Sequence, residues 1–176
     1  MAAPSIRVGS AADAVTISAL AIQVFLDTYA TEGVRPDLAH EAFAEYGREV
    51  FAERLGQEGR VFYLAESGSG LVGFAEVLRN QTASPIPGVS GSELVRLYVQ
   101  PQAQGTGIGR TLLDCAERCA KEAGSAGLWL SAWEYNMPAL TFYRRQRYED
   151  VGYARYIIQG QSFGNRVFYK PTASEA

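Results

Sequence analysis

Apolar residues along this chain recur at two spacings, and the changes from one to the other mark the elements. Ile6-Arg7-Val8 reads as a short first strand. From Ala11 to Ala30 the apolar positions Val15, Leu20, Ile22, Phe25, Leu26 and Tyr29 suit an amphipathic helix, with Asp13 near its start. Gly33 and Pro36 break that pattern, and 37–55 reads as a second helical region with an interruption at Gly47. A spacing of two then takes over. Val61–Ala65 and Leu71–Leu78 read as strands joined through Ser67-Gly68-Ser69-Gly70 as a hairpin. Residues 81–92, with Pro85 and Pro87 among Gly and Ser, read as a loop. A strand at 93–99 follows, then a helix from Ile108 to about Ala123 and a strand at 128–133. Met137 to Arg147 reads as a short helix that admits Pro138 in its first turn. Two last strands, about 153–158 and 167–170, are joined through Gly160 to Gly164. The order β-α-α-β-β-β-α-β-α-β-β predicts one mixed sheet and an α/β fold, α+β in some schemes.

Length and composition narrow the classes. A chain of 176 residues with 47% hydrophobic and 20% charged residues reads as one globular domain over 1–176, with no internal repeat or dividing linker. A formal charge of −3 argues against a general nucleic-acid surface and is compatible with a cationic substrate. Met1-Ala2-Ala3-Pro4 does not open a signal peptide, and no apolar run approaches a membrane span, so a cytoplasmic protein is expected. Cys115 and Cys119 lie four apart, on one helical face with Ile108 and Leu112, and read as buried structural side chains. His40 is the only histidine, so no metal site is expected.

The candidate chemistry begins at Gln104-Gly105-Thr106-Gly107-Ile108-Gly109-Arg110, between the 93–99 strand and the helix after it. A glycine-rich turn opening a helix presents unpaired N–H groups and the positive end of the helix dipole. Together these suit a phosphate or pyrophosphate. The plainer reading is a glycine-rich turn that ends a strand. The spacing excludes a dinucleotide fingerprint, because Arg110 stands where the third glycine belongs, and no Gly-Lys-Ser/Thr of a P-loop occurs. A formal Gly-x-Gly-x-x-Gly at Gly68, Gly70 and Gly73 leads into a strand and carries no such meaning.

Gln104, Gly107 and Gly109 form Gln-x-x-Gly-x-Gly, which resembles the acetyl-CoA motif of the GCN5-related N-acetyltransferase (GNAT) superfamily. Asn136-Met137-Pro138-Ala139-Leu140-Thr141-Phe142-Tyr143 resembles the Asn-x-x-Ala-x-x-Phe-Tyr segment of the same superfamily and follows in the right order. The resemblance implies a splayed central sheet with helices on both faces. It implies that acetyl-pantetheine lies against the main chain of Leu97, Tyr98 and Val99, with the Val99 N–H polarising the thioester carbonyl. It also implies that Gln104, Gly105, Thr106, Gly107, Ile108, Gly109 and Arg110 hold the pyrophosphate, that Asn136 bonds the cofactor, and that Tyr143 faces the sulfur.

The reaction accounts for two further residue types. An alkyl amine of pKa about 10.4 costs about 4.6 kcal/mol to deprotonate at pH 7, so a proton acceptor is needed. A departing thiolate gains from a phenol of pKa about 10 that is still protonated. Tyr143 fits that donor, or is a core aromatic. Glu93, by its separation from Val99 and Gln104, resembles the catalytic glutamate of the histone-acetylating members of the superfamily, which implies a base; otherwise it attracts the cation or pairs with an arginine. Glu76 and Glu134 are lesser candidates. Glu41, Glu45 and Glu49 read as a solvated face or the border of a cation site.

Phe25-Leu26-Asp27-Thr28-Tyr29 looks like the first helix of bacterial polyamine acetyltransferases of the PaiA type. One departure is Arg147 before Tyr148, where that pattern has glycine. It affects the helix end and the adenine side of the cofactor. The expected activity is acetyl-CoA-dependent acetylation of a small cationic amine such as a polyamine. A protein N-terminal or lysine acetyltransferase and a non-catalytic acyl-CoA sensor are the alternatives. The resemblance is compatible with a homodimer.

Overall fold

The structure, a computed structural model, describes residues 4–68, 70–158 and 161–172. Ser69 of the expected hairpin turn and Gly160 of the last connection lie outside them. The elements run β1 (Ser5–Val8), α1 (Ala14–Tyr29), α2 (Pro36–Tyr46), α3 (Arg48–Leu55), β2 (Arg60–Ser67), β3 (Gly70–Ala83) and β4 (Ser90–Val99). They continue with α4 (Ile108–Glu122), β5 (Gly127–Trp133), α5 (Met137–Arg145), β6 (Glu149–Ile158) and β7 (Gln161–Pro171). The seven strands form one mixed sheet in the order β1-β2-β3-β4-β5-β7-β6. β4 and β5 are parallel; β1–β2, β5–β7 and β6–β7 are antiparallel.

Contacts divide the chain into two compact units, Met1–Val77 with Arg96–Ala116, and Leu78–Val95 with Glu117–Ala176. In the first, the buried side of α1 (Ile17, Leu20, Phe25) joins Phe51 of α3 and Phe62 and Phe74 of β2 and β3. Phe51 meets Phe74 edge to face, with centroids 6.0 Å apart. A Cβ on the neighbouring Gly73 would instead approach Leu112 of α4 at 3.3 Å. Successive strand residues point to opposite faces, so this unit has helices on both faces of its strands. At its edge, Arg7 of β1 donates to Asp13 at 2.6 Å and to Glu66 of β2 at 2.7 Å. In the second unit, Trp129, Ala154 and Val167 form a core with Ile86 and Val89 of the β3–β4 connection. Tyr143 of α5 packs on Phe168 of β7.

Three expectations change. The last two strands begin earlier than alternation suggests, because pairs such as Glu149↔Tyr169 and Ile158↔Gln161 extend the β6–β7 ladder through residues with no apolar pattern. The loop at 81–92 shrinks at both ends, as β3 reaches Ala83 and β4 starts at Ser90. Ala11–Tyr29 is, at 19 residues, long and apolar enough to cross a membrane, against the expectation that no run approaches that length. Its buried apolar residues belong to the core of the first unit. The helix break at Gly47 and the burial of Cys115, Cys119, Ile108 and Leu112 are as expected.

Candidate active site

In the first unit, β4 runs into a braced loop. Gln100 N–H donates to Val72 O at 2.9 Å and its side chain to Gln23 Oε1 at 2.9 Å, which ties the strand end to β3 and α1. A single 3-10 turn follows at Pro101–Ala103. Gln104 Nε2 then donates back to Val99 O at 3.2 Å, and Thr106 Oγ1 to Ala103 O at 2.6 Å. Gly105 and Gly107 take φ of 76° and 90°, a region closed to most side chains. A Cβ at either would meet nothing within 4 Å, so the turn faces open space. The first backbone bond of α4 runs from Thr111 N–H to Gly107 O, 3.0 Å. The N–H groups of Ile108 and Gly109 therefore precede the helical ladder, at a helix start that suits an anion. Arg110 pairs with Asp114 at 2.8 Å, both half exposed. Gln104 is thus engaged with the strand end rather than held out on the turn.

The even-numbered side of β4 carries chemistry that sequence reasoning missed. Arg96 Nη1 donates to Glu76 Oε2 at 2.6 Å, and Arg60 holds the other oxygen of this fully buried carboxylate. Glu76 is therefore not available as a base: two guanidinium groups flank it. Arg96 lies 5.2 Å above the Tyr46 ring, and its buried Nε has no partner among the described residues. Tyr98 Oη donates to Tyr46 Oη at 3.2 Å. Burial, followed by the neighbouring Tyr46, pushes the Tyr98 phenol well up, and the same two causes push Tyr29 to about 12. Alternation from Tyr98 back to Arg96 could have revealed this side, but attention to Glu93, Val95, Leu97 and Val99 favours the opposite one. Leu97 and Val99 are half-buried. Glu45 pairs with Arg54 at 3.4 Å and Glu49 with Arg48 at 3.1 Å, consistent with a solvated face.

In the second unit, Asn136 caps α5: its Oδ1 accepts from Ala139 N–H at 3.2 Å, which reserves the side-chain NH2 for any ligand. Tyr143 is 7% exposed, its ring among Phe142, Tyr148 and Phe168 at centroid distances of 5.2, 5.9 and 5.9 Å. No hydrogen bond links its hydroxyl to another described residue, and burial raises its pKa above the ordinary phenol value. A proton donor needs that combination of fixed ring, retained proton and free oxygen.

The turn that ends α5 holds Tyr143 in place. Arg147 N–H donates to Arg144 O at 3.0 Å and Tyr148 N–H to Tyr143 O at 3.1 Å, the paired bonds of a Schellman closure. Arg147 takes φ of 64°, which explains why a glycine suits this position. Glu93, half-buried on β4, is in register with Trp129 of β5.

Comparison with known proteins adds the family. The model of the acetyltransferase (GNAT) family matches residues 25–148. An aminoglycoside N(6')-acetyltransferase type 1 of Stenotrophomonas maltophilia is 33% identical over 124 residues, 69% of this chain and 71% of that protein. A streptothricin acetyltransferase of Streptomyces lavendulae is 30% identical over 119 residues, 67% of this chain and 60% of that protein. The PaiA N-acetyltransferase of Thermoplasma acidophilum, solved in complex with coenzyme A, is similar in fold. Its TM-score is 0.71 at 24% identity, over 95% of this chain and 99% of that one.

Proposed function

Because the chain belongs to the acetyltransferase (GNAT) family, we propose that it transfers an acetyl group from acetyl-CoA to a primary amine of a small cationic metabolite such as a polyamine. The transfer is direct, within a ternary complex. Residues 1–176 act as a single domain in the cytoplasm, and the family match runs through parts of both units. The open turn at Gly105 and Gly107, with the leading N–H groups of α4, fits a pyrophosphate. When bound, acetyl-CoA supplies a thioester whose carbonyl carbon forms the new C–N bond as the C–S bond breaks.

The chain's own groups do the rest. The main chain of Leu97, Tyr98 and Val99 aligns the cofactor arm, and the Val99 N–H donates to the thioester oxygen as charge grows there. Gln104 fixes the strand end by holding Val99 O. Asn136 offers its side-chain NH2 to the cofactor. Glu93 accepts the proton that the amine loses, directly or through water, and Tyr143 gives its hydroxyl proton to the departing sulfur. Of the ammonium's three protons, one goes to Glu93 before attack, one replaces the proton that Tyr143 gives up, and one stays as the amide N–H.

One observation carries this reading: a buried tyrosine ring held among Phe142, Tyr148 and Phe168, where burial raises the phenol above its ordinary pKa and so favours the protonated form. The similarity to an aminoglycoside acetyltransferase supports a cationic acceptor. The test is thiol release from acetyl-CoA with a panel of amines and peptides. Spermidine and related amines should be acetylated and peptides with free N-termini should not. The reverse pattern favours a protein acetyltransferase. Tight CoA binding with no turnover on any acceptor favours a sensor.

A further inference from the structure

Glu134 follows β5 directly, and its N–H donates to Gly164 O on β7 at 3.0 Å. Its half-buried side chain lies over that glycine. Tyr153 of β6 donates its hydroxyl to Glu134 Oε1 at 3.3 Å. A Cβ at Gly164 would collide with both the Tyr153 hydroxyl and that carboxylate oxygen. The pair occupies the volume of the missing side chain, so residue 164 has to be glycine for it to form. Trp133 and Tyr135, edge to face with centroids 5.4 Å apart, border Glu134 in sequence. Tyr135 is 70% and Tyr153 40% exposed, so the pair stands at an open aromatic surface of the second unit.

Arg166 feels the Glu134 charge, yet no hydrogen bond or ion pair joins the two side chains among the described residues. Arg166 gives Nε and Nη2 to Asp150, at 3.0 and 2.6 Å. Those bonds are the main reason its pKa is raised, and the Glu134 charge adds a smaller effect. Glu134 Oε2 accepts no hydrogen bond among the described residues, and the Tyr153 oxygen, having donated, still has lone pairs to offer. What the pair presents is therefore acceptors and negative charge beside aromatic rings. An alkylammonium, with three donors and no acceptor, is its complement. A carboxylate or phosphate would be repelled.

We propose that Glu134 and Tyr153 bind a second ammonium of the acceptor, one that is not acetylated, and so select diamines and polyamines over monoamines. This rests on the polyamine reading above and names the groups that enforce it.

The experiment compares 1,4-diaminobutane with butylamine at saturating acetyl-CoA on the full chain. The wild-type protein should have the lower KM for the diamine. Glu134→Gln should raise that KM about tenfold, the range of one charge-assisted contact, with kcat and the butylamine KM held. Gly164→Ala should do the same. Its Cβ meets only the far ends of two flexible side chains, and its backbone is not in the left-handed region, so circular dichroism should show the fold retained. Calorimetric titration of spermidine into the CoA-saturated protein, where no transfer can occur, should give the same order of affinities. A diamine preference that survives Glu134→Gln overturns the proposal, as does a loss of kcat on butylamine, which would put Glu134 at the reacting amine. Equal wild-type KM values for the two amines overturn the proposal while leaving acetyl transfer standing. Acetylation of neither amine overturns the polyamine reading together with this proposal.

Discussion

Arg147 is the position where the chain works against its own backbone, and replacing it by glycine should stabilise the protein. A non-glycine residue at φ of 64° brings its Cβ close to the following carbonyl oxygen, at a cost of about 1–2 kcal/mol. Glycine removes that cost but gives the unfolded chain more freedom, which returns about 0.4–1 kcal/mol. The net gain for Arg147→Gly is then about 0.5–1 kcal/mol. For a chain of this length that corresponds to roughly 1–4 °C in Tm. Arg147 is exposed, so few contacts are lost with its side chain. Arg147→Ala is the control, because it removes the charge and keeps the Cβ. Thermal unfolding followed by circular dichroism reads both variants, and only the glycine should gain. The Schellman bonds from Arg147 N–H and Tyr148 N–H involve main chain alone, so Tyr143 should stay in place and kcat should be unchanged. A glycine variant no more stable than the alanine variant would refute the strain at this helix end.

Three further outcomes are expected. Tyr143→Phe should lower kcat by roughly 10² to 10⁴ with little change in CoA affinity, the effect of removing one positioned proton donor; wild-type kcat, measured where chemistry limits turnover, would remove Tyr143 from the mechanism. Glu93→Gln should lower kcat/KM for the amine and flatten its pH profile between about pH 6 and 10; an increase in amine KM alone would make Glu93 an attractor of cations rather than a base. Asp13 is held below the usual carboxylate range chiefly by its hydrogen bonds to Arg7, against the opposing effect of burial. Its stabilisation is full above the unfolded pKa of about 3.9 and fades as pH falls toward the lower folded value. Asp13→Asn should therefore cost about 1 kcal/mol near pH 7, a figure reduced for the exposure of Arg7, and progressively less below about pH 4. A difference independent of pH in denaturant unfolding would contradict that pairing.

The features legible in the sequence are those that a few neighbouring residues settle. A turn that needs positive φ requires glycine, so Gly105 and Gly107 announce the open turn, and the helix that follows supplies the donors. Asn136 and Pro138 mark the start of α5, and the 3.6-residue spacing of α4 buries Cys115, Cys119 and Leu112. Element order and the break at Gly47 were legible for the same reason. Strand ends were not. β6 gains its first residues from a partner strand about twenty positions away, and no local pattern encodes that pairing.

The charged groups divide in the same way. Nothing near Glu76 in sequence distinguishes it from Glu93 as a base, yet Arg60 and Arg96, 16 and 20 residues away, enclose it in the folded chain. Glu134 meets Tyr153 only because Gly164 leaves room for both. Backbone geometry and helix periodicity are short-range, so the sequence by itself determined the motifs, the order of elements and the candidate residues. The protonation, pairing and availability of each ionisable group depend on which distant side chains exclude water from it or offer it a bond, and only the tertiary structure decided those.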